Sequence, residues 1–380
     1  MSKILLAAFL ITLACKPKSN LYEPREASSA KEESLEIYEP KIISSSKLAP
    51  VDFDTGNHSF IDIRGVGDSG WVSVGTENPP AKSGFLRALK QFDPGKELLV
   101  GHVNFINWET TVTNTCKEFY NVDSPFIGSQ LSVNEAISWG FNLFGVSNNH
   151  SEDCKEDGEG RNGALSTKEI FSNLGKSNNI SFSGLGEGNE LEQVSLQSFK
   201  IRGRSVRVAF AALSVLSWWT EHSTRYAYHG SKILEDFKRV EADLRILSIH
   251  TEGLEVSAVG YAKKFIEQYD GDIVFQHGPH TWRGVKIYDK NDGGKGVAFH
   301  GLGNFIHNYL GHNSKNLIGR VLLDFENVQL KQVQVIPVEN WVDGKYLSLN
   351  RNFDLPPANF EWKKHKLESN KLIPVGVFNP

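Results

Sequence analysis

Short runs of apolar residues that end abruptly in polar clusters recur along this 380-residue chain. The five runs cover residues 60–67, 98–106, 141–146, 244–249 and 272–275. Runs of this length, bounded by polar, Gly and Pro clusters, are typical of β-strands. Each run is followed closely by Asp, Glu, Asn or His. The pattern therefore predicts strands whose carboxyl ends carry the chemistry, which is where rigid scaffolds place it.

Segments of helical character alternate with these runs. We predict helices over residues 83–92, 131–139, 168–176, 233–244 and 256–269. Further strands are predicted over residues 285–288, 297–299, 321–325 and 332–336, with a hairpin over 194–199 and 205–213. In residues 233–244, apolar side chains recur on one helical face. Alternating helices and strands indicate an α/β fold.

The side chains at the strand ends suit a divalent transition metal. Asp68, Glu109, Asn149, His250 and His277 together offer carboxylate, amide and neutral imidazole ligands. Each of these side chains follows a different predicted strand, and we expect them to lie together in one site.

The motifs at the strand ends follow one another in a fixed order along the chain. They are Gly67-Asp68, Asn107-Trp108-Glu109, Asn148-Asn149-His150, His250, His277-Gly278-Pro279-His280 and Leu302-Gly303-Asn304-Phe305. This ordered set resembles the capsule biosynthesis protein CapA family, or poly-gamma-glutamate capsule family. That family looks like a branch of the calcineurin-like metallophosphoesterase superfamily. The resemblance covers about residues 58–325.

The resemblance implies a metallophosphoesterase-like αββα sandwich, in which two packed β-sheets are flanked by helices. It implies a divalent metal cofactor, held by Asp68, Glu109, Asn149, His250, His277 and His280. His150 would be the catalytic acid or orienting group, and Asn107 and Asn304 would contact substrate. The family's fourth motif continues Trp-Gly where this chain has Thr251-Glu252, and Gly278 replaces a family histidine. One bound ion and two bound ions therefore both remain open.

The resemblance also implies a role in making an anionic extracellular polymer, either poly-gamma-glutamate or a capsular polysaccharide. The expected partners are that polymer or its precursor and other capsule-assembly proteins. The site would be a hydrolase or transferase centre for a phosphoester or amide. The alternative is a non-catalytic polymer-binding or assembly component with a vestigial metal site.

Two other motifs point to different chemistry. Gly67-Asp68-Ser69 is similar to the nucleophile block of GDSL-type esterases, in which Ser69 would attack the substrate. Residues 65–70 also match Gly-x-Gly-x-x-Gly, although no helix is predicted to open there as dinucleotide binding requires.

The N-terminus is predicted to be a targeting segment. A basic start, an apolar run over residues 4–14 and Cys15 resemble a lipoprotein signal peptide with Cys15 lipidated; an ordinary cleaved signal peptide is the alternative. Residues 16–50 are rich in Ser, Glu, Lys and Pro and predict a disordered tether. The expected protein is exported and anchored to the envelope membrane through lipid. Residues 51–340 would form the CapA-like domain, and residues 341–380 an irregular C-terminal extension.

Charge and cysteine content refine this picture. The formal net charge of −4 provides no basic footprint for nucleic acid. If Cys15 carries lipid, Cys116 and Cys154 remain as a pair. Export permits a disulfide between them, with two free thiols as the alternative.

Overall fold

Two β-sheets pack face to face through an interior of aromatic and branched aliphatic side chains. Phe105 of one sheet stacks on Phe275 of the other, with ring centroids 4.7 Å apart. The computed structural model describes residues 49–50, 59–74, 83–119, 124–216, 232–342, 344–350, 361–367 and 372–380.

The helices are short and lie outside the sheets. They are α1 (Phe85–Phe92), α2 (Gln130–Trp139), α3 (Gly163–Ser177), α4 (Ile233–Phe237) and α5 (Glu255–Tyr269), with a 3-10 helix at Gly188–Glu192. Apolar faces of α1, α2 and α3 pack against one sheet, and those of α4 and α5 against the other. None of the described helices has the length and apolar character that a membrane crossing needs.

The strands contain more of the described residues than the helices do. In order they are β1 (Ala49–Pro50), β2 (Phe60–Gly70), β3 (Val72–Val74), β4 (Val103–Trp108), β5 (Thr111–Val112), β6 (Cys116–Phe119), β7 (Phe126–Gly128), β8 (Leu143–Gly145), β9 (Cys154–Asp157), β10 (Ser181–Ser183), β11 (Ser195–Ile201), β12 (Arg204–Leu216), β13 (Leu244–Glu252), β14 (Ile273–His277), β15 (Val285–Asp289), β16 (Lys295–His300), β17 (Asn304–His307), β18 (Asn313–Asp324), β19 (Leu330–Asn340), β20 (Ser348–Leu349), β21 (Glu361–Lys366) and β22 (Leu372–Phe378).

The topology brings parallel strands together in both sheets. The larger sheet has the order β1-β21-β22-β19-β18-β2-β4-β8-β10, with β17 on β2 and β20 on β19. The second sheet has the order β11-β12-β13-β14-β16-β15. Strands β2, β4 and β8 are mutually parallel, as are β12, β13, β14 and β16. The predicted αββα sandwich and the hairpin of β11 and β12 are confirmed.

Several predicted boundaries differ from the structure. The helix predicted over residues 233–244 ends at Phe237, because Leu244 pairs with Val208 and begins β13. The Gly-x-Gly-x-x-Gly match lies entirely inside β2, which rules out the helix start that dinucleotide binding needs.

The prediction of an irregular C-terminal extension is wrong for the described residues. Strands β21 and β22 pair antiparallel and extend the larger sheet through β19. Strand β21 also pairs with β1, so Ala49–Pro50 at the end of the expected tether already lies in a sheet. The lipidated Cys15, the signal peptide and residues 16–48 of the tether lie outside the described residues.

Candidate metal centre

The carboxyl ends of parallel strands from both sheets meet at one place. In the larger sheet Asp68 on β2 is in register with Asn107 on β4. In the second sheet His250 on β13 is in register with His277 on β14. Asp68, His250 and His277 are all fully buried or nearly so. The predicted convergence of these strand ends is therefore observed.

The first group of candidate ligands consists of Asp68, His250 and His277. The Nδ1 atoms of the two histidines are 3.0 Å apart. The Oδ1 atom of Asp68 lies 3.5 Å from Nδ1 of His277 and 3.9 Å from Nδ1 of His250. Ligand atoms about 2.1 Å from one metal ion are separated by about 3 Å, so these spacings fit a shared ion.

Ser248 orients the ring of His277. The Ser248 hydroxyl lies 2.7 Å from Nε2 of His277, in the same buried interior. A metal-ligating histidine commonly donates its other ring N–H to a neighbouring oxygen, which fixes the tautomer. With the proton at Nε2 and Ser248 as acceptor, Nδ1 of His277 presents its lone pair to the group.

The second group shares Asp68 and adds Glu109 and His280. Nδ1 of His280 is 3.1 Å from Oδ2 of Asp68, and its Nε2 is 3.9 Å from Oε1 of Glu109. Both carboxylate oxygens of Glu109 are buried without a hydrogen-bond partner. Buried polar atoms in native proteins are rarely left unpaired, and a cation bound between these groups would pair with both oxygens of Glu109.

The two groups differ in their protonation states. Burial and the neighbouring Asp68 raise the pKa of Glu109 to about 8. Burial would raise the pKa of Asp68, but the hydrogen bond and charge of His280 hold it below its usual value. Burial lowers the pKa of His277 to about 4 and also strongly lowers that of His250. The first group therefore has the neutral imidazoles beside an anionic carboxylate that metal binding needs. In the second group, burial would lower the pKa of His280, but the charges of Glu109 and Asp68 raise it to about 10, so an ion that binds there must displace protons from His280 and Glu109.

His280 and Gly278 adopt backbone conformations with positive φ. Gly278 has φ of 103°, and its N–H donates to Oδ2 of Asp68 over 3.1 Å. A Cβ atom at this position would collide with the carbonyl oxygen of Thr251. The chain thus needs glycine here, and the turn presents His280, at φ of 54°, to Asp68 instead.

Asn149 and its neighbour Asn148 have separate roles. The Oδ1 atom of Asn149 is buried and has no hydrogen-bond partner, which fits a metal-ligating amide oxygen. Asn148 is fully engaged in structure: its Nδ2 donates to the Trp108 carbonyl, and its Oδ1 accepts from the N–H of His150. These bonds hold the turn that places Asn149 and His150 side by side.

His150 forms a dyad with Asp153. The Nδ1 atom of His150 is 2.6 Å from Oδ2 of Asp153, which also accepts from the N–H of Phe126. The Phe126 ring stacks on His150 at 3.8 Å. Burial lowers the pKa of His150, but the charge and hydrogen bond of Asp153 raise it more, so the net shift is upward. Sequence reasoning missed Asp153, although its i+3 spacing from His150 was a usable signal.

The two residues predicted to contact substrate lie against candidate ligands. Nδ2 of Asn107 donates to Oδ1 of Asp68 over 2.7 Å. Oδ1 of Asn304 lies 2.8 Å from Nδ1 of His280. Both amides therefore orient ligand side chains. Ser248 was likewise absent from the predicted set, although the alternation of β13 places it on the same face as His250.

A disulfide joins the loops that follow two of the motif strands. Cys116 on β6 and Cys154 on β9 are bonded, with Cα atoms 5.7 Å apart. Cys154 directly follows Asp153, so the bridge lies beside the His150–Asp153 dyad.

The esterase alternative has no support in the geometry. The hydroxyl of Ser69 is completely buried and donates to the carbonyl of Gly67. A nucleophilic serine needs a base within hydrogen-bond reach. The described residues place no histidine in hydrogen-bond contact with this hydroxyl.

The fold and the shared ligand groups define an αββα sandwich with a carboxylate–histidine centre of the kind that binds divalent metals. The sequence model of the family described as "Bacterial capsule synthesis protein PGA_cap" matches residues 77–309. This match covers more than half of the chain, and the chain belongs to that family. The resemblance drawn from the ordered motifs is confirmed.

Two solved structures show weak similarity to this chain. A novel phosphatase from Mycoplasma pneumoniae is 11% identical, with a TM-score of 0.45, and the match covers 74% of this chain and 94% of that one. A hypothetical protein from Thermus thermophilus is 11% identical, with a TM-score of 0.39, and the match covers 78% of this chain and 100% of that one. No curated protein matches the sequence.

Proposed function

We propose that this protein is an exported, metal-dependent hydrolase or transferase that acts during synthesis of an anionic extracellular polymer. The single observation that carries the proposal is the sharing of Asp68 by two groups of candidate ligands. Family membership supports the capsule context. A phosphoester is the bond class that suits such a centre best, since two bound ions would stabilise both the attacking and the leaving oxygen.

The ligand residues have distinct tasks in this proposal. Asp68, His250 and His277 would hold one ion, while Asp68, Glu109 and His280 would hold a second, with Asn149 completing the set. A bound divalent ion lowers the pKa of water towards about 7 and polarises the scissile group. Glu109 and Asp68 would supply the negative charge that retains a cation in a buried site. Ser248, Asn107 and Asn304 keep His277, Asp68 and His280 in their orientations.

His150 is proposed to supply the proton that the leaving oxygen needs. Asp153 occupies Nδ1 of His150, which leaves Nε2 as the atom that exchanges a proton with substrate. The raised pKa of His150 favours the protonated ring near neutral pH, which is the form a general acid requires. Stacking on Phe126 fixes the plane of the ring and so the direction of proton transfer.

The proposed location is the cell envelope, with the membrane contacted through lipid on Cys15. The N-terminal sequence supports this proposal: an apolar run precedes Cys15, and a polar segment follows. The polymer or its precursor would reach the centre as an anion and bind partly through the metal.

Metal analysis of the purified full-length protein tests the function most directly. The wild-type protein should retain a divalent ion and hydrolyse a generic aryl phosphoester, and chelator should abolish the hydrolysis. Asp68→Asn should lower both metal content and rate, whereas the buried His300, which contacts Tyr288 and Gln276 instead, gives the control variant His300→Asn. Metal binding without hydrolysis would favour the polymer-binding assembly role. A wild-type protein that binds no metal at micromolar supply overturns the proposal.

A further inference from the structure

His307 is a buried histidine that lies beside the metal centre but belongs to neither ligand group. It ends β17, where it is in register with Gly70 on β2, as Asn304 is with Asp68. Its side chain is almost completely buried. Strand pairing therefore places the His307 ring at the same end of β2 as Asp68. Asn304, on the same strand as His307, contacts His280.

The hydrogen bonds of His307 determine where its proton lies. Its Nδ1 accepts from the backbone N–H groups of Tyr309 and Leu310, each at 3.2 Å. An atom that accepts two hydrogen bonds carries no proton, so a neutral ring has its proton at Nε2. That Nε2 atom is buried and has no hydrogen-bond acceptor among the described residues. An unpaired buried donor is costly, and native structures seldom keep one without a purpose.

The neighbours of the His307 ring belong to the strands and side chains of the candidate metal centre. A Cβ atom at position 70 would lie 3.2 Å from Nε2 of His307. Because residue 70 is glycine, no side chain from this position crowds the Nε2–H group. The His307 ring lies 4.9 Å from Phe126, the ring that stacks on His150. The charges of His150, His280 and Asp68 all act on His307. The imidazole therefore lies beside the ring that packs on the His150–Asp153 dyad and within electrostatic range of His280 and Asp68.

We propose that the Nε2–H group of His307 donates a hydrogen bond to an oxygen of a tetrahedral oxyanion, the phosphoryl group of the substrate, bound at the metal centre. This inference rests on the proposed function and names a substrate-contacting residue for it. A donor fixed in a buried site is worth more to a charged oxygen than one that must be ordered first. Burial lowers the pKa of His307 to about 3, so the ring remains a neutral donor throughout the physiological pH range.

Two substitutions separate the donor from the structural role of the ring. The amide oxygen of asparagine can take the place of Nδ1, so His307→Asn keeps an acceptor for Tyr309 and Leu310 but removes the donor. The amide nitrogen of glutamine can reach the place of Nε2, so His307→Gln keeps a donor and loses that acceptor. His300→Asn is the matched control, because His300 is also a buried neutral histidine but lies among Tyr288 and Gln276.

Binding of inorganic phosphate to the metal-loaded full-length protein is the measurement. In His307→Asn the Kd for phosphate should rise roughly 10- to 100-fold, the effect of one lost hydrogen bond to a charged group, with metal content unchanged. His307→Gln should bind phosphate within a few-fold of wild type although its Tm falls, and His300→Asn should bind as wild type does. In wild-type protein with ¹⁵N-labelled histidine, phosphate should shift the Nε2–H resonance of His307.

The outcomes distinguish this inference from the proposed function. Wild-type affinity in His307→Asn, or affinity losses that simply follow the losses in Tm, would overturn the role of His307 and leave the metal centre intact. The phosphate titration is run with and without Mn²⁺. A protein that binds Mn²⁺ but never phosphate overturns the His307 inference and the phosphoester substrate together, while one that binds no Mn²⁺ overturns the metal-dependent function itself.

Discussion

The Nδ1 atoms of His250 and His277 face each other at 3.0 Å, between the ends of two parallel strands. Both rings are buried and both have lowered pKa values, which favours the neutral form of each ring. Nε2 of His277 is already committed to Ser248. Because His277 holds its proton at Nε2, Nδ1 of His250 can donate to Nδ1 of His277; in the proposed centre both nitrogens, together with Asp68, would instead bind one divalent cation.

The first prediction concerns metal retention. His277→Ala should lower the bound metal substantially, since it removes one of the two imidazole ligands that lie beside Asp68 in the first group. His300→Ala removes a buried imidazole of similar pKa from the same sheet and should leave metal content unchanged. Metal analysis after gel filtration provides the measurement. Equal metal content in wild type and His277→Ala would remove His277 from the ligand set.

The second prediction concerns the orientation of His277. Ser248→Ala deletes the hydroxyl that contacts Nε2 of this ring, so the ring loses its fixed tautomer. Loss of such a partner typically lowers metal affinity about 10- to 100-fold. Ser214→Ala is the control, since Ser214 is buried on the adjacent strand and bonds to Ser147 instead. Competition with a chelator measures both affinities, and identical values would show that Ser248 does not orient the ligand.

Much of this site could be predicted from sequence because its residues follow apolar runs that are strands. Asp68, Glu109, His250 and His277 each lie at or near the end of such a run, and parallel strands bring their carboxyl ends to one edge. Ser248 was missed because it lies inside a run rather than after it. Orphaned atoms such as Nε2 of His307 have no sequence signature, because they depend on which backbone groups the ring meets.

The wrong predictions have a different physical cause. Residues 233–244 satisfy helical periodicity, but pairing of Leu244 with Val208 in the second sheet outweighs the local preference. Strand β21 reads Glu-Trp-Lys-Lys-His-Lys and has almost no apolar signal. It is held by backbone pairing to β22 and β1, which sequence pattern alone does not reveal.

The third prediction concerns the disulfide of Cys116 and Cys154. Neither thiol should react with a labelling reagent until the native protein is reduced. The bridge spans 38 residues. In the chain-entropy model a loop of this size stabilises the fold by about 4 kcal/mol. Cys116→Ser with Cys154→Ser should therefore lower the free energy of unfolding by an amount of that order, measured by denaturant titration. Ready labelling of the untreated protein would contradict the bridge.

The fourth prediction concerns anchoring. Cys15→Ser should release the mature protein into the soluble fraction or leave the precursor unprocessed, because lipid can no longer be attached. Cell fractionation and the apparent mass of the protein measure this outcome. Ser19→Ala, a change in the same N-terminal segment that leaves Cys15 in place, serves as the control and should not change fractionation. Unchanged processing and membrane recovery in Cys15→Ser would favour an ordinary signal peptide.

The fifth prediction separates catalysis from metal binding. His150→Ala should leave metal content nearly unchanged while hydrolysis falls roughly 10²- to 10⁴-fold, the usual contribution of a positioned acid.

The pH dependence of the rate in Asp153→Asn tests whether Asp153 controls the protonation of His150. Asp153 raises the pKa of His150, so the rate of the wild type should fall only as pH rises through that elevated value. Removing the carboxylate charge lowers this pKa, and the alkaline limb of the profile should therefore move to lower pH. Asp157→Asn, in a residue that lies beyond Cys154 and bonds to Arg161 instead, is the control and should leave the limb in place. An alkaline limb that stays fixed in Asp153→Asn would assign the titration to another group and leave His150 without its role as acid.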